Sequence, residues 1–164
     1  MLTIKELTNT EEKRTVVETI VAALPEWFGE GTTISTVEAS VGTFEHVPFF
    51  VACEGDEVLG FLSLKLHTPC AAEIGMMAVL GTAHGKGIGR KLVSHCEAIC
   101  RAHNKEFLTV KTVDESSTDN DSFESTRAFY RALGFKPIEV FPQFWGDEKY
   151  PCLYSIKCLT EGDR

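Results

Sequence analysis

The 164-residue sequence contains no apolar run near the ~18 residues that a membrane-crossing helix needs. Its opening segment, Met1 to Glu6, also lacks the basic and apolar regions of a secretory signal. The cytoplasm is therefore the expected compartment. Paired CxxC spacing is missing too: Cys53, Cys70, Cys96, Cys100, Cys152 and Cys158 are scattered, so free, mostly buried thiols are expected in place of a disulfide framework or a zinc ribbon. Cys96, Cys100 and His103 would share one helix face, but that face also carries Leu92 and Ile99 and no fourth ligand is indicated, so no metal is expected. Positive charge is in deficit as well. Lys plus Arg number 16 against 24 Asp plus Glu, a net charge of −8, which argues against nucleic acid and anionic membrane as partners and favours cationic small molecules or basic peptides.

What is present is an ordinary globular composition, 43% hydrophobic and 24% charged, with no internal repeat and no linker. A single domain over residues 1–164 is expected. Residues 2–7 read as a strand, and Asn9 with Glu12 resembles a capping box opening a helix through Val16, Val17, Ile20, Val21 and Leu24, which Pro25 stops. Ser35 with Glu38 opens a second helix through Phe44. Strands are expected over 48–54 and 58–67, joined by the turn Glu54-Gly55-Asp56-Glu57, and over 70–79. A helix runs from Ile88 through Leu92, Val93, Cys96, Ile99 and Cys100 with Asn104 capping its end, followed by a strand over 107–113, a polar loop over 114–122, a helix over 125–133 capped by Gly134, and strands near 138–141 and 152–158.

The segment His84-Gly85-Lys86-Gly87-Ile88-Gly89-Arg90 follows a strand and runs straight into a helix. Such a junction presents unpaired backbone N–H groups at the positive end of the helix dipole, and its glycines allow a pyrophosphate to approach closely. Three glycines at alternate positions, with Lys86, Arg90 and Lys91 concentrated here in an acidic chain, point to phosphate binding more than to a tight turn. A Walker A loop fails on spacing, because Lys86-Gly87-Ile88 stands where Gly-Lys-Ser/Thr is required. A dinucleotide fingerprint from Gly85 fails because its third glycine would be Arg90.

This loop resembles the acetyl-CoA pyrophosphate loop of the GCN5-related N-acetyltransferase (GNAT) superfamily, Arg/Gln-x-x-Gly-x-Gly/Ala, met here by Gly87 and Gly89 with His84 in the Arg/Gln position. A second match, Thr126-Arg127-Ala128-Phe129-Tyr130-Arg131-Ala132-Leu133-Gly134-Phe135, is similar to the family's late helix. The resemblance implies an α/β fold of the α+β type, with a mixed, mostly antiparallel central sheet flanked by helices and splayed at the acetyl-CoA site. It implies pantetheine against the backbone near Met77 and Val79 and diphosphate on His84, Gly85, Lys86, Gly87, Ile88, Gly89 and Arg90. The implied reaction is direct acetyl transfer from acetyl-CoA to a primary amine of a small molecule or a protein. No covalent enzyme intermediate and no metal are needed, and a homodimer is compatible with the pattern.

Direct transfer demands a neutral amine, a stabilised oxyanion and a protonated leaving thiolate. Tyr130 matches the family's general acid; a phenol of reference pKa ~10 can donate to a thiolate whose conjugate acid lies near ~8.5. A tyrosine that only packs is the alternative. Glu73 matches a strand position where some members carry the carboxylate that accepts the amine proton, the alternative being a solvent-facing glutamate, with His67, His46 and the carboxylates near Trp145 in reserve. Phe123 stands where many relatives carry a cofactor-touching Asn. Trp27, Phe28 and Trp145, with Phe144 and the carboxylates Glu26, Glu30, Asp147 and Glu148, suit a cationic acceptor between the first helical pair and the last hairpin, or else form a core edge. The competing function is a catalytically silent acyl-CoA-binding regulatory module, which would need the loop but not Tyr130.

Overall fold

Tight turns between β-rich runs give the first half of the chain an antiparallel meander, seen here in a computed structural model that describes residues 1–29 and 31–160. The order is β1 (Leu2–Glu6), α1 (Thr10–Ala22), α2 (Pro25–Phe28), α3 (Ile34–Val41), β2 (Phe49–Glu54), β3 (Glu57–Thr68), β4 (Ala71–Val79), a 3₁₀ turn (Gly81–Ala83), α4 (Ile88–Ala102), β5 (Phe107–Val113), α5 (Asn120–Ala132), β6 (Lys136–Phe141) and β7 (Cys152–Cys158). The strands form one sheet in the order β1-β2-β3-β4-β5-β7-β6. Every neighbouring pair is antiparallel except β4 and β5, which are parallel and joined by the crossover through α4 that parallel neighbours require. The mixed, mostly antiparallel sheet that the resemblance implies is thus the one observed.

Five local boundaries differ from the sequence expectation. Pro25 does end α1, but its fixed φ also suits a first helical position, and it opens the single turn α2. Thr33, in a reciprocal capping box with Thr36, starts α3 in place of Ser35, and Gly42 at φ 95° ends it before Phe44. The fifth helix begins at Asn120, inside the stretch read as a polar loop, and β6 begins at Lys136.

Strand alternation sends side chains to two separate layers. On one face Leu62, Leu64, Ala72, Ile74, Leu108 and Val110 meet α4 and α5 through Leu92, Val93, Cys96 and Tyr130. On the other, Phe49, Val51 and Phe61 meet α1 and α3 through Val17, Ile20, Val37 and Val41. The Phe49 and Phe61 rings stack at 5.2 Å, and each such buried ring contributes roughly 1.5–3 kcal/mol. Lys13 is buried in this second layer, where its ammonium donates to the Phe44 and Val47 carbonyls at 2.7 and 2.8 Å and so fixes the loop after α3 to α1. Burial lowers its pKa.

The parallel seam is short. Register pairs run from Ala71↔Phe107 to Ile74↔Val110 and stop, while β3–β4 pairing continues to Val79 and β5–β7 pairing to Val113. The cause is one residue further along β4. Ser63 pairs with Met76 and Leu64 with Ile74, which leaves Gly75 as the extra residue of a bulge. A bulge bends its strand, so β4 leaves β5 at that point and the sheet forks. A side chain at 75 would meet Lys65 Cγ and Ser63 Oγ at 3.2 Å, tight enough to favour glycine.

Candidate active site

Above the fork, β4 has a free edge. The Leu80 N–H donates to Leu59 of β3 at 2.9 Å, so by alternation the polar groups of Val79 and Met77 turn away from β3 and toward the gap. The Val79 carbonyl accepts a 2.7 Å hydrogen bond from Nε2 of His84. A carbonyl can only accept, so that nitrogen carries the proton. The His84 ring also meets Trp27 of α2 edge-on at 5.8 Å. The histidine that stands in the motif's Arg/Gln position is therefore aimed back at the strand, and only its backbone remains for an anion.

The loop beyond it has the form an anion needs. Gly85 and Gly87 sit at φ 77° and 75°, a left-handed conformation costly for other residues, and open space surrounds both. Gly87 is the N-cap of the 15-residue α4 and offers no side-chain cap, so the first-turn N–H groups lack that partner at the positive end of the dipole. Lys86 and Arg90 are exposed beside them. Two other motif positions serve the fold: the Ile88 side chain is in the core, leaving only its N–H, and a Cβ on Gly89 would stand 3.1 Å from the Phe129 ring. Met77 is half-buried and packs against the α4 layer.

Glu73 lies between Ala72 and Ile74, which face α4, so it points to the opposite face, where its carboxylate is 6% exposed. It is not a solvent-facing glutamate. Its Oε2 forms an ion pair with Lys111 Nζ of β5 and lies 3.6 Å from His67 Nε2 of β3. The Lys111 ammonium rests over two rings, 5.2 Å from Phe144 and 5.1 Å from Tyr154. Cys152 adjoins this group: burial pushes its thiol up to about 11, with Lys111 pulling down and Glu73 pushing up. His46 is exposed beside Glu45.

Tyr130 belongs to the other face. It is 7% exposed, between the rings of Phe129 at 5.0 Å and Phe135 at 5.4 Å. Burial raises its pKa, with the Cys96 thiol adding to the effect, so the phenol stays protonated across the neutral range. Burial raises the Cys96 and Cys100 thiols likewise, and His103 is exposed at the end of α4. Among the described residues no group of three or more His, Cys, Asp or Glu is placed to hold a metal ion.

The aromatic residues form two separate groups. Trp27, with the half-buried Phe28 beside it on α2, meets His84, and α2 contacts α5; Trp145 meets Phe144 edge-on at 5.7 Å, and Phe144 covers Lys111. No ring contact joins the two groups among the described residues. Of the nearby carboxylates, Asp147 and Glu148 accept bonds within their own loop, from the Lys149 amide and from Gln143, Glu26 is exposed, and Glu30 lies outside the described residues. Phe123 packs edge-on to Tyr150 at 6.2 Å. Sequence reasoning gave no role to Lys111 or to Arg127. The buried Arg127 donates to the Val113 carbonyl at 2.8 Å, at the far end of β5. For Lys111 the signal was a lone lysine inside the otherwise uncharged run from Phe107 to Val113.

The family described as "Acetyltransferase (GNAT) domain" matches residues 45–137. An uncharacterized N-acetyltransferase of Chlorobaculum tepidum is 32% identical over 123 residues, covering 73% of this chain and 70% of that one. Among solved structures, an IAA acetyltransferase from Bacillus cereus superposes with TM-score 0.73 at 20% identity, covering 96% of this chain and 99% of that one. An aminoglycoside 6'-N-acetyltransferase complexed with coenzyme A gives TM-score 0.72 at 17% identity, with 99% of each chain covered.

Proposed function

The chain belongs to the GNAT acetyltransferase family, and from that premise we propose that it transfers the acetyl group of acetyl-CoA directly to a primary amine. The observation that carries this reading is the fork at Gly75, with a glycine loop and an uncapped helix N-terminus beyond it. The free edge of β4 at Met77 and Val79 would pair with the pantetheine amides, and the backbone from His84 to Arg90 would hold the diphosphate. When bound, the cosubstrate supplies an activated thioester.

The chain's own residues then divide the proton work between the two faces of the sheet. Glu73 takes a proton from the acceptor ammonium on the α1–α3 face. Tyr130, protonated at neutral pH, supplies one to the departing sulfur from the α5 face. Burial makes the phenol a weaker acid, so it serves the developing thiolate first of all as a hydrogen-bond donor. The amine therefore approaches from the side of Glu73, between α2 with Trp27 and Phe28 and the connection that carries Phe144 and Trp145, and a cationic acceptor fits the net charge of −8.

The test is thermal unfolding followed by turnover. Acetyl-CoA at a hundred times its dissociation constant should add ~2.7 kcal/mol of stability, and an amine library read by free-thiol release should yield at least one substrate. A melt shifted by NAD or ATP but not by acetyl-CoA overturns the reading. Stabilisation with no turnover of any amine leaves the acyl-CoA-binding module instead.

A further inference from the structure

Lys111 is a primary amine already seated on the carboxylate to which the proton-accepting role was given above. Its surroundings are those an acceptor ammonium would need: the Glu73 carboxylate, and the faces of Phe144 and Tyr154 at 5.2 and 5.1 Å. It stands on β5 one residue beyond Val110, where pairing with β4 ends and the gap begins. Its side chain is 21% exposed, sheltered but reachable. Other lysines are placed differently. Lys13 is buried on two carbonyls, Lys157 pairs with Glu97 on the α4 face, Lys105 donates to the Thr68 carbonyl, and Lys149 is exposed over the Tyr150 ring.

We propose that Lys111 is a self-acetylation site, modified by acetyl-CoA bound in the fork of the same molecule when no acceptor amine is present. The inference rests on the acetyl-transfer reading. The ammonium gives one proton to Glu73, which passes it to solvent. The freed Nζ lone pair forms the N–C bond with the thioester carbon, and the C–S bond breaks with its electron pair going to sulfur. The second proton leaves nitrogen, and the sulfur ends protonated. The products are acetylated Lys111, the free thiol of coenzyme A and one released proton. An amide cannot pair with a carboxylate as an ammonium does, so the modification leaves Glu73 facing His67 without its counter-charge.

The experiment incubates the full chain with acetyl-CoA and no amine, then maps acetyl groups by peptide mass over time. Lys111 should be acetylated at a rate independent of protein concentration and at least about tenfold faster than exposed Lys149, which serves as the internal measure of purely chemical acetylation. In Glu73→Gln the Lys111 rate should fall to that of Lys149, and Lys111→Arg, which keeps the ion pair, should remove the modification at this position. Lys111 modified no faster than Lys149, at a rate that scales with protein concentration, or undiminished in Glu73→Gln, overturns the proposal. Acetyl-CoA stabilisation and turnover of an external amine with Lys111 unmodified overturn it while leaving the transferase reading intact. Absence of acetyl-CoA binding overturns both.

Discussion

Below Gly75, β4 and β5 are joined by four rungs from Ala71↔Phe107 to Ile74↔Val110; above it, the same two strands are no longer paired with each other. The lower part is ordinary sheet, with Ala72, Ile74, Leu108 and Val110 buried against α4. The upper part carries the Val79 carbonyl, with the glycine loop beyond it. One inserted glycine separates a ladder from an unpaired gap, because a strand bent out of register keeps one neighbour and loses the other. Glu73 and Lys111 stand on either side of that boundary, one residue before and one after the last rung.

The strongest way to test this division is to remove the carboxylate at the boundary. Glu73→Gln should lower turnover by roughly 10²–10⁴-fold and flatten the acidic limb of the pH profile, with acetyl-CoA affinity nearly unchanged. A wild-type profile would return the proton to His67, His46 or water. On the opposite face, Tyr130→Phe keeps the ring between Phe129 and Phe135 and deletes only the phenolic proton, so turnover should fall by roughly 10²-fold while acetyl-CoA binding persists. The loss should shrink with a donor whose leaving thiol is more acidic; equal losses with both donors would make Tyr130 a wall of the channel. The groove itself can be watched by hydrogen exchange. Acetyl-CoA should slow the Met77 and Val79 amides by roughly tenfold or more and leave Ile74 and Val110 unchanged, and uniform protection of all four would erase the distinction between ladder and groove.

The smallest effect lies just past the end of β5. Burial raises the Asp114 pKa, but this is outweighed by hydrogen bonds from the Ser116 hydroxyl and amide, so the net shift is downward. The folded state then binds that proton less readily than the unfolded chain. Its contribution is present above the ordinary aspartate range and is lost as pH falls toward the lowered folded-state value. Asp114→Asn should cost no more than about 2 °C in Tm at neutral pH, and the difference from wild type should close on acidification. A gap that widened in acid would reverse the assignment.

Much of the fold could be read in advance because its signals are local: periodic apolar positions, Asn9 accepting from the Glu12 amide, and Gly55 in the β2–β3 turn. The loop from His84 to Arg90 and the Phe129-Tyr130 pair were readable for the same reason, as contiguous motifs. What escaped depends on contacts between distant segments. Nothing in the run Glu73-Ile74-Gly75-Met76 says that Gly75 lacks a partner, since a bulge exists only relative to the register of β3. Lys111 and Glu73 are 38 residues apart, and their pairing follows from a parallel seam whose register is set by packing on α4. His84 was readable as a departure from the motif but its direction was not, because Val79 and Trp27 receive it from two other elements.

If acetyl-CoA binds in this gap as proposed, that direction changes what the gap would select. With His84 holding the Val79 carbonyl, the gap has no orphaned acceptor at this point, and a ligand chain laid along β4 would have to trade one hydrogen bond for another. The trade is nearly neutral for a molecule with an N–H at that depth. For one that merely fills the space, a carbonyl is left bare at a cost of about 1–3 kcal/mol. The imidazole would thus act as a removable placeholder, adding little to the strength of binding and imposing a toll on any occupant that lacks an amide in the right place.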